Sequence, residues 1–420
     1  MLPKSLDVGG SQINALDLAA AVGRAGHDVV VVAPPGLLSV RLEELGIEYL
    51  PVRRPIGGRR AGSELRRLIR ERVPDIVHAY EVGPTMAAVR VARSVVIGSF
   101  YGPRVPWYLP ESIPVVVGSP RLAAFTRRWR SAPVALIPPP VDLDTDDPER
   151  VTPTDLGAEG YHVVVVSRLV EAFKADGLRN AIDATAELVA RGSQIRLTIV
   201  GDGPLRRSLQ YRVERLGIED RVIFAGERPD PRPWYAAASV VLGVGTAALR
   251  GAAFGKPTVI LGRQGYARLL APDSADELGE VGYFGVGDGA GSAALVEVLQ
   301  RLEHDASLRD RVGRWARSHV AATVGLPAAA ERLIELYQAS VTRPPIGRGE
   351  VVRSMVRVGH YRIRRAMLRR KAARRGMAGD EADNWVHGRL RELALPPARF
   401  GTGRYRFVED PRDHRGQIGT

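Results

Sequence analysis

The sequence predicts an α/β protein made of two doubly wound, parallel-sheet domains that face each other across a cleft. The chain has 420 residues, and a single hydrophobic core rarely grows beyond about 250–300 residues. Short apolar runs rich in β-branched residues alternate with segments of helical periodicity, as in buried parallel sheets. A proline-rich stretch divides this pattern into two halves of similar texture.

The first half opens on a helix, because residues 1–8 contain Pro3 and Lys4 and no apolar run. We therefore expect the usual first strand to be absent or reduced to two or three residues. If it is absent, we expect the natural chain to start further upstream. Helical periodicity from Ile13 to Ala25 predicts the first helix, and Val29–Ala33 predicts the buried strand that follows it.

A second helix and a second strand complete the pattern of the first half. Glu64–Arg72 has helical spacing, and Pro74–His78 reads as a short strand. The histidine at its end is either a structural residue or part of a site. Between about 138 and 160, prolines and acidic residues without periodicity indicate a linker.

The second half repeats the alternation of strands with helices or loops. The runs that predict its buried strands are Val163–Val166, Leu197–Val200, Val240–Leu242 and Lys256–Ile260. Parallel strands point their carboxyl ends at one edge of a sheet, so two facing domains would hold a ligand between these edges. The predicted segments are 1–145, the linker 146–160, 161–342 and a basic extension 343–420.

Two cations follow the strand that ends at Val166. Arg168 offers a planar fork and Lys174, six residues later, a point charge, a combination that suits a diphosphate. Lys174 is one of only four lysines beside 56 arginines. A solvated basic surface is the alternative interpretation.

Glycine turns mark three further candidate positions. Gly9-Gly10 precedes the first helix, where backbone N–H groups can approach an anion or simply form a tight turn. Gly201 and Gly203 follow a strand, either close to a ligand or in an ordinary connection. Gly245 and Thr246 begin a helix, with Thr246 as a plausible N-cap and the helix start as a second phosphate position.

Composition excludes several classes of protein and site. The chain has no cysteine, so disulfides and thiolate metal sites are excluded. No apolar run has the length of a bilayer span or a signal peptide, and we expect a cytoplasmic protein. The sequence lacks a metal-ligand cluster, a GxxxxGK[ST] loop and a GxSxG elbow. We expect neither a metal nor a cofactor.

The net charge of +13 belongs mostly to the last segment. Residues 343–420 carry 19 Lys and Arg against 8 Asp and Glu, and the other 342 residues carry a net charge of only +2. A nearly neutral body argues against a nucleic-acid-binding protein.

Five motifs together resemble one family, the retaining glycosyltransferases of family 4 with the GT-B fold. The matching segments are Gly9-Gly10 with Gly26–Val29 ("GG … GH-x-V"), Pro138–Asp142 ("IPNGVD"), Ser167–Leu169 with Lys174 ("GRL … K"), Val200–Pro204 ("VGDGP") and Gly255–Val259 ("GxPVV"). The resemblance covers about residues 6 to 340. It implies two Rossmann-like domains, with the donor diphosphate on Arg168, Lys174 and the helix start at Gly245 and Thr246.

The chain departs from the family at its pair of C-terminal glutamates. Leu242 and Arg250 stand at these positions, where the family's second glutamate commonly holds the ribose hydroxyls. We expect Arg250 to face the cleft, where a guanidinium donates hydrogen bonds but accepts none. The catalytic residues stay unassigned.

The resemblance implies a sugar transfer from a nucleotide-sugar to a glycan or lipid-linked acceptor, in polysaccharide biosynthesis. The acceptor would enter from the Gly9-Gly10 side. The alternative is a catalytically degenerate GT-B protein that binds a partner or regulates another transferase.

The basic extension adds a membrane hypothesis. Residues 351–375 hold ten Arg or Lys and no acidic residue, with apolar residues at roughly helical spacing: Val352, Met355, Val356, Ile363, Met367 and Leu368. Such a helix can lie on an anionic membrane and would place the enzyme at the inner membrane face. A helix packed on the protein body, or a disordered arm, is the alternative.

Overall fold

The structure is a computed structural model. It describes residues 1–53, 56, 62–157, 160–171, 174–287, 289, 291–377, 382, 385–386 and 389–390. Within these residues the chain is an α/β protein with mainly parallel sheets covered by helices, as the sequence predicts; two sheets belong to the N-terminal half and one to the C-terminal half. The Pro396-Pro397 pair and the Gly- and Arg-rich end of the extension lie outside the described residues.

The N-terminal domain alternates helices and strands from its start. Its elements are α1 (Gly10–Arg24), β1 (Val30–Ala33), α2 (Ser39–Glu44), β2 (Glu48–Pro51), α3 (Gly62–Arg72), β3 (Ile76–Tyr80), α4 (Val82–Val91), β4 (Val95–Phe100), β5 (Val115–Val117), α5 (Pro120–Arg127) and β6 (Val134–Leu136). Strands β1 and β2 pair in parallel, and β3-β4-β5-β6 form a parallel sheet in that order.

The C-terminal domain has the same alternation around a larger sheet. Its elements are β7 (Tyr161–Val166), α6 (Ala175–Ala190), β8 (Ile195–Val200), α7 (Arg206–Leu216), β9 (Val222–Gly226), α8 (Arg232–Ala237), β10 (Val240–Gly243), α9 (Thr246–Ala253), β11 (Thr258–Arg263), β12 (Ala267–Leu269), α10 (Ala275–Val281), β13 (Gly285–Val286), α11 (Ala293–His304) and α12 (Ala306–Val324). The strand order is β12-β11-β10-β7-β8-β9, with only β12 antiparallel; β13 pairs with β11.

The expected first strand is reduced to a single β-bridge, as Pro3 and Lys4 predict. Leu2 bridges Ala79 of β3, donating to the His78 carbonyl at 2.8 Å and accepting from Tyr80 at 3.0 Å. On the other side the Met1 carbonyl accepts from Val32 of β1 at 2.9 Å. Two residues therefore join the two groups of N-terminal strands.

Helix α13 (Leu326–Val341) returns the chain to the N-terminal domain. The linker meets its start, because Val141 forms a β-bridge with Gly325. Leu326, Leu333 and Leu336 pack in one cluster with Val95 and Ile97 of β4. Although α13 falls inside the predicted segment 161–342, it covers one face of the N-terminal sheet.

Strand β4 is buried along its whole length because both of its faces are covered. Val95 and Ile97 pack toward α1 and α13, whereas Val96 and Phe100 pack with α4 on the opposite face. Alternate residues of a strand point to opposite faces, so a doubly covered strand is apolar throughout.

The predicted basic helix forms as α14 (Arg348–Arg374), 27 residues long. It lies against the N-terminal domain, where its Val351 packs with that domain's core. None of the described helices combines the length and the apolar character that a bilayer crossing needs.

Candidate active site

Arg168 lies at the boundary between the two domains. It follows β7, its side chain is exposed, and the structure gives it no hydrogen bond or ion pair within the described residues. A methyl group placed on Gly9 would lie 3.7 Å from its guanidinium carbon. The predicted diphosphate-binding cation and the predicted acceptor-side loop are thus neighbours across the cleft.

Lys174 lies at the start of α6, as its N-cap residue. It lines a small pocket with Ser167 after β7, with Gly243 at the end of β10 and with Val244 after that strand. Burial lowers the pKa of Lys174 to about 8, and the positive charge of Arg168 adds to the shift. Among the described residues no carboxylate pairs with either cation, so the two charges repel each other, and a bound anion would relieve this repulsion.

The start of α9 faces the start of α1. Thr246 and Asn14 lie at hydrogen-bonding distance, with Nδ2 of Asn14 3.4 Å from Oγ1 of Thr246. A methyl group on Gly10 would lie 3.0 Å from the same oxygen. Since Gly10 has no side chain, the two domains approach closely here.

The sequence interpretation of Thr246 as an N-cap is wrong by one residue. Gly245 is the N-cap of α9, with φ 57° and ψ −129°, a conformation that essentially only glycine adopts. Its N–H donates to the Tyr283 carbonyl at 2.9 Å. Thr246 is the first helical residue, and its hydroxyl is directed to Asn14 instead of capping the helix.

Two helix starts and two cations therefore converge on the cleft. Neither α1, capped by Gly9, nor α9 has a side-chain hydrogen bond at its N-cap. Helix N-termini carry partial positive charge and free N–H groups, which favour anions. Together with Arg168 and Lys174 they form an electropositive site suited to a diphosphate. No metal-binding group of His, Asp and Glu occurs among the described residues.

The turn at Gly201 and Gly203 packs against the loop that carries Arg168. A methyl group on Gly201 would lie 1.9 Å from the Ser167 carbonyl oxygen, and one on Gly203 2.5 Å from that of Leu169. The Leu169 N–H donates to the Asp202 carbonyl at 2.9 Å. The glycines thus let two loops pack backbone to backbone, which positions Arg168.

Arg250, which we expected to face the cleft, is a buried residue. Its Nε donates to Oδ2 of Asp146 at 2.7 Å, and the side chains are 6% and 0% exposed. Burial raises the pKa of Asp146, and the charge of Arg250 opposes that shift. Within the described residues, the other carboxylate oxygen of Asp146 has no hydrogen-bond partner.

More charges surround this buried pair. Asp17 of α1 forms an ion pair with Arg41, and its charge also acts on Arg250. Arg317 of α12 donates to the backbone carbonyl of Asp146 at 3.3 Å. The ion pair therefore fastens the linker to α9 at a point where α1 and α12 also meet it.

His78 has a structural role. It lies within β3, where its Nε2 is 2.7 Å from Ser99 Oγ and its Nδ1 2.6 Å from the Tyr337 hydroxyl on α13. Burial lowers its pKa to about 3, so the ring is neutral. It joins α13 to the N-terminal sheet.

The sequence analysis did not identify three polar residues of this region: Asn14, Asp17 and Asp146. Asn14 and Asp17 follow Gly10 by four and seven residues, so they share a helix face with it. A polar residue at each of these positions, within a stretch 13–22 that is otherwise apolar, was the available signal. Asp146 had no signal, because its partner is 104 residues away.

Family models match both halves of the chain. Residues 8–145 match "Glycosyltransferase Family 4", and residues 160–305 match "Glycosyl transferases group 1". The lipopolysaccharide core biosynthesis glycosyltransferase LpsD of Rhizobium meliloti is 25% identical over 307 residues, 66% of this chain and 79% of that protein.

Solved structures share the fold. A glycosyltransferase from Rickettsia africae superposes with a TM-score of 0.63 at 15% identity, over 81% of this chain and 98% of that one. HepE of Anabaena, in complex with UDP-glucose, gives a TM-score of 0.62 at 18% identity, over 80% and 98%.

The two matched models are separated by the linker between residues 145 and 160. The chain is a glycosyltransferase of the family 4 type with the GT-B fold, and it transfers a sugar from a nucleotide-sugar donor.

Proposed function

We propose that the chain is a retaining transferase whose donor diphosphate is held by Arg168, Lys174 and the start of α9 at Gly245 and Thr246. The observation that supports this assignment is the position of the two cations: Arg168 lies beside Gly9, and Lys174 lines the small pocket next to Ser167 and Gly243, with no described residue paired to either side chain. Charge-assisted hydrogen bonds to a diphosphate would give each cation the partner that the protein does not supply.

Positioning and charge stabilisation would carry the chemistry. As the glycosidic bond to the leaving diphosphate breaks, negative charge grows on its oxygens, and preorganised cations and N–H groups stabilise that charge. Holding the acceptor hydroxyl next to the reacting carbon supplies the rest. Such a reaction needs no strong protein base, so the absence of the glutamate pair is compatible with it.

The finer proposal concerns the two substrates. HepE of Anabaena has been solved with UDP and with UDP-glucose, which supports a UDP-sugar as donor here. LpsD of Rhizobium meliloti is a lipopolysaccharide core enzyme, which supports a glycan acceptor carried on a lipid. The Gly9-Gly10 side of the cleft would receive it, and residues 351–375 would meet an anionic membrane surface.

The main argument for the alternative, a degenerate protein without catalytic activity, no longer applies. It rested on Arg250 as an unsuitable residue in the donor site. Because Arg250 is engaged in a buried ion pair with Asp146, its presence has a structural reason that is independent of turnover.

A panel of sugar nucleotides tests the proposal. Incubation with candidate lipid-linked and free glycans should release nucleoside diphosphate for one donor, and the same nucleotide should raise the Tm of the protein. Stabilisation without release, across the panel, would favour the binding-protein reading. The absence of both responses would contradict the donor site.

A further inference from the structure

Helix α14 is held in a fixed orientation by its inner face. Glu350 accepts from the backbone N–H of Ser112 at 3.0 Å and also bonds its hydroxyl. One turn later, Ser354 donates to the Tyr108 carbonyl at 2.6 Å. Two turns after that, Tyr361 packs on the Tyr108 ring with centroids 5.0 Å apart. These contacts recur along one side, so the helix cannot rotate about its axis.

The opposite side carries an apolar ridge that faces solvent. It consists of Val352, Val356, Ile363 and Met367, which are 61%, 67%, 62% and 54% exposed. Their spacings of four, seven and four residues place them on one face of a helix. Apolar side chains of this size, aligned and exposed over about four turns, indicate an interaction surface.

Exposed cations flank and extend this ridge. Arg353, Arg362 and Lys371 lie beside it, and Arg370 and Arg374 continue its line toward the helix end. Acidic residues are absent from 351–375. The charge of the surface is therefore complementary to an anionic partner with an apolar interior.

We propose that this ridge, defined by Val352, Val356, Ile363 and Met367, inserts into the headgroup region of an anionic lipid bilayer while the flanking arginines bind lipid phosphates. Helices with an apolar face and a cationic rim lie in this plane of the membrane. The inference rests on the proposed function for its purpose, because it brings the cleft to a lipid-linked acceptor.

The features of the ridge favour lipid over nucleic acid. A phosphate backbone offers no partner to four aliphatic side chains, and single-stranded binding relies on exposed aromatic rings. Tyr361 and Trp385, the Tyr and Trp residues of the extension that the structure describes, are engaged elsewhere: Tyr361 packs on Tyr108, and Trp385 packs with Ala372 and Leu368 against the inner side of α14.

The docked helix also sets the orientation of the enzyme. Its inner face contacts only the N-terminal domain in these bonds, at Tyr108, Glu111 and Ser112. A membrane on the outer face would therefore lie along the flank of that domain, whose Gly9-Gly10 loop is the proposed acceptor side.

Vesicle co-sedimentation of the full-length protein tests the ridge. The vesicles contain phosphatidylcholine alone or with phosphatidylglycerol, and the protein carries Val356→Ser with Ile363→Ser. The matched control is Val40→Ser with Ile223→Ser, which changes the same residue types at exposed positions elsewhere, 63% and 42% exposed. We expect the ridge variant to bind anionic vesicles at least about tenfold more weakly, and the control to bind like the wild type.

A second pair of variants tests the cations. Arg353→Gln with Arg370→Gln should weaken binding about 30-fold, since each cation near an anionic surface contributes a factor of about five. Arg66→Gln with Arg70→Gln on α3 removes the same charge and should have little effect. Binding should also weaken as salt rises to about 0.15 M.

Three outcomes would overturn the inference: equal binding to neutral vesicles, equal losses in the ridge and control variants, or binding of RNA that needs the same arginines while vesicle binding does not. The assay uses no donor or acceptor, so its failure is distinct from a failure of sugar transfer.

Discussion

Arg168 is the residue whose role is simplest to measure. Its guanidinium lies beside Gly9 and is paired with none of the residues that the structure describes. Charged hydrogen bonds are worth about 1.5–3 kcal/mol. We expect Arg168→Ala to weaken binding of the nucleoside diphosphate at least tenfold in calorimetry. Arg301→Ala, an exposed arginine on α11, is the control. Unchanged affinity of Arg168→Ala would refute the donor-site assignment.

Lys174 should make nucleotide binding depend on pH. Its pKa of about 8 means that the free protein loses this charge as the pH rises through 8, so affinity should fall there. A bound diphosphate favours the charged form and moves the midpoint above 8. We expect Lys174→Met to bind more weakly at pH 7 and to lose this pH dependence. A persistent dependence would assign the titration to another group.

The buried Lys174 side chain should also lower the stability of the folded protein. Between the folded pKa of about 8 and the ordinary lysine pKa of 10.5, the unfolded chain binds more protons, so stability rises with pH in that window. Below pH 8 the cost of burying the charge is fully present. Lys174→Met should therefore raise the Tm at pH 7, with a gain that shrinks from pH 8 to 10.5.

Arg250 should behave as a structural residue. Arg250→Glu would place a carboxylate against Asp146 and near Asp17, and breaking a buried ion pair costs about 3–5 kcal/mol. We expect urea unfolding at pH 7 to show this loss, and the double variant Arg250→Met with Asp146→Leu to recover most of it. If Arg250→Glu kept its stability and raised turnover, the residue would belong to the donor site instead.

The sequence predicted where the candidate residues lie in the fold better than it predicted their partners. Arg168 and Lys174 follow a strand within a motif, and local order alone places them at the sheet edge. Arg250 was located correctly on its helix, but its side-chain direction depends on Asp146, 104 residues away. The sequence shows that the family's usual glutamate is replaced at this position, but it does not show which contact the new residue makes.

At the scale of elements, strands were the most predictable feature. Val163–Val166, Leu197–Val200 and Val240–Leu242 all lie within observed strands, because a strand buried on both faces must be apolar throughout. The start of α9 was misplaced by one residue, since Gly245 uses a backbone conformation that only its lack of a side chain permits.

The orientation of α14 is an element-scale property that one contact can test. Glu350→Ala removes both bonds to Ser112, so the helix should detach more often from the N-terminal domain. We expect trypsin to cleave its arginines faster than in the wild type. Glu335→Ala, an exposed change on α13, should leave the cleavage rate unchanged; equal rates in all three proteins would mean that Glu350 does not anchor the helix.

At the scale of the molecule, the chain length and the alternation of strands and helices predicted two domains. They did not predict that α13 crosses back to the N-terminal domain. Helix α13 has an ordinary amphipathic sequence that suits either domain. Its docking on the N-terminal sheet depends on distant contacts such as Tyr337 with His78. The predicted segment 161–342 therefore contains a helix that belongs in packing terms to the first domain.

This packing predicts that the first domain cannot fold by itself. A fragment 1–145 would expose the apolar face formed by Leu18, Val95, Ile97 and Val116, which α13 normally covers. We expect it to bind a hydrophobic dye and to melt without a cooperative transition. A fragment 138–324, which keeps the C-terminal sheet with its helices, should melt cooperatively. Cooperative melting of 1–145 would show that α13 is dispensable.

Because α13 is synthesised after the C-terminal domain, the two domains become complete in a fixed order on the ribosome. The last N-terminal strand ends at Leu136, but its sheet stays open on one side until Val341 has been made. About 200 residues separate these points, and at a synthesis rate of about 5–20 residues per second this is a wait of roughly 10–40 s. The domain synthesised first is therefore finished last, and during that interval its bare apolar side is a target for chaperones and for neighbouring nascent chains.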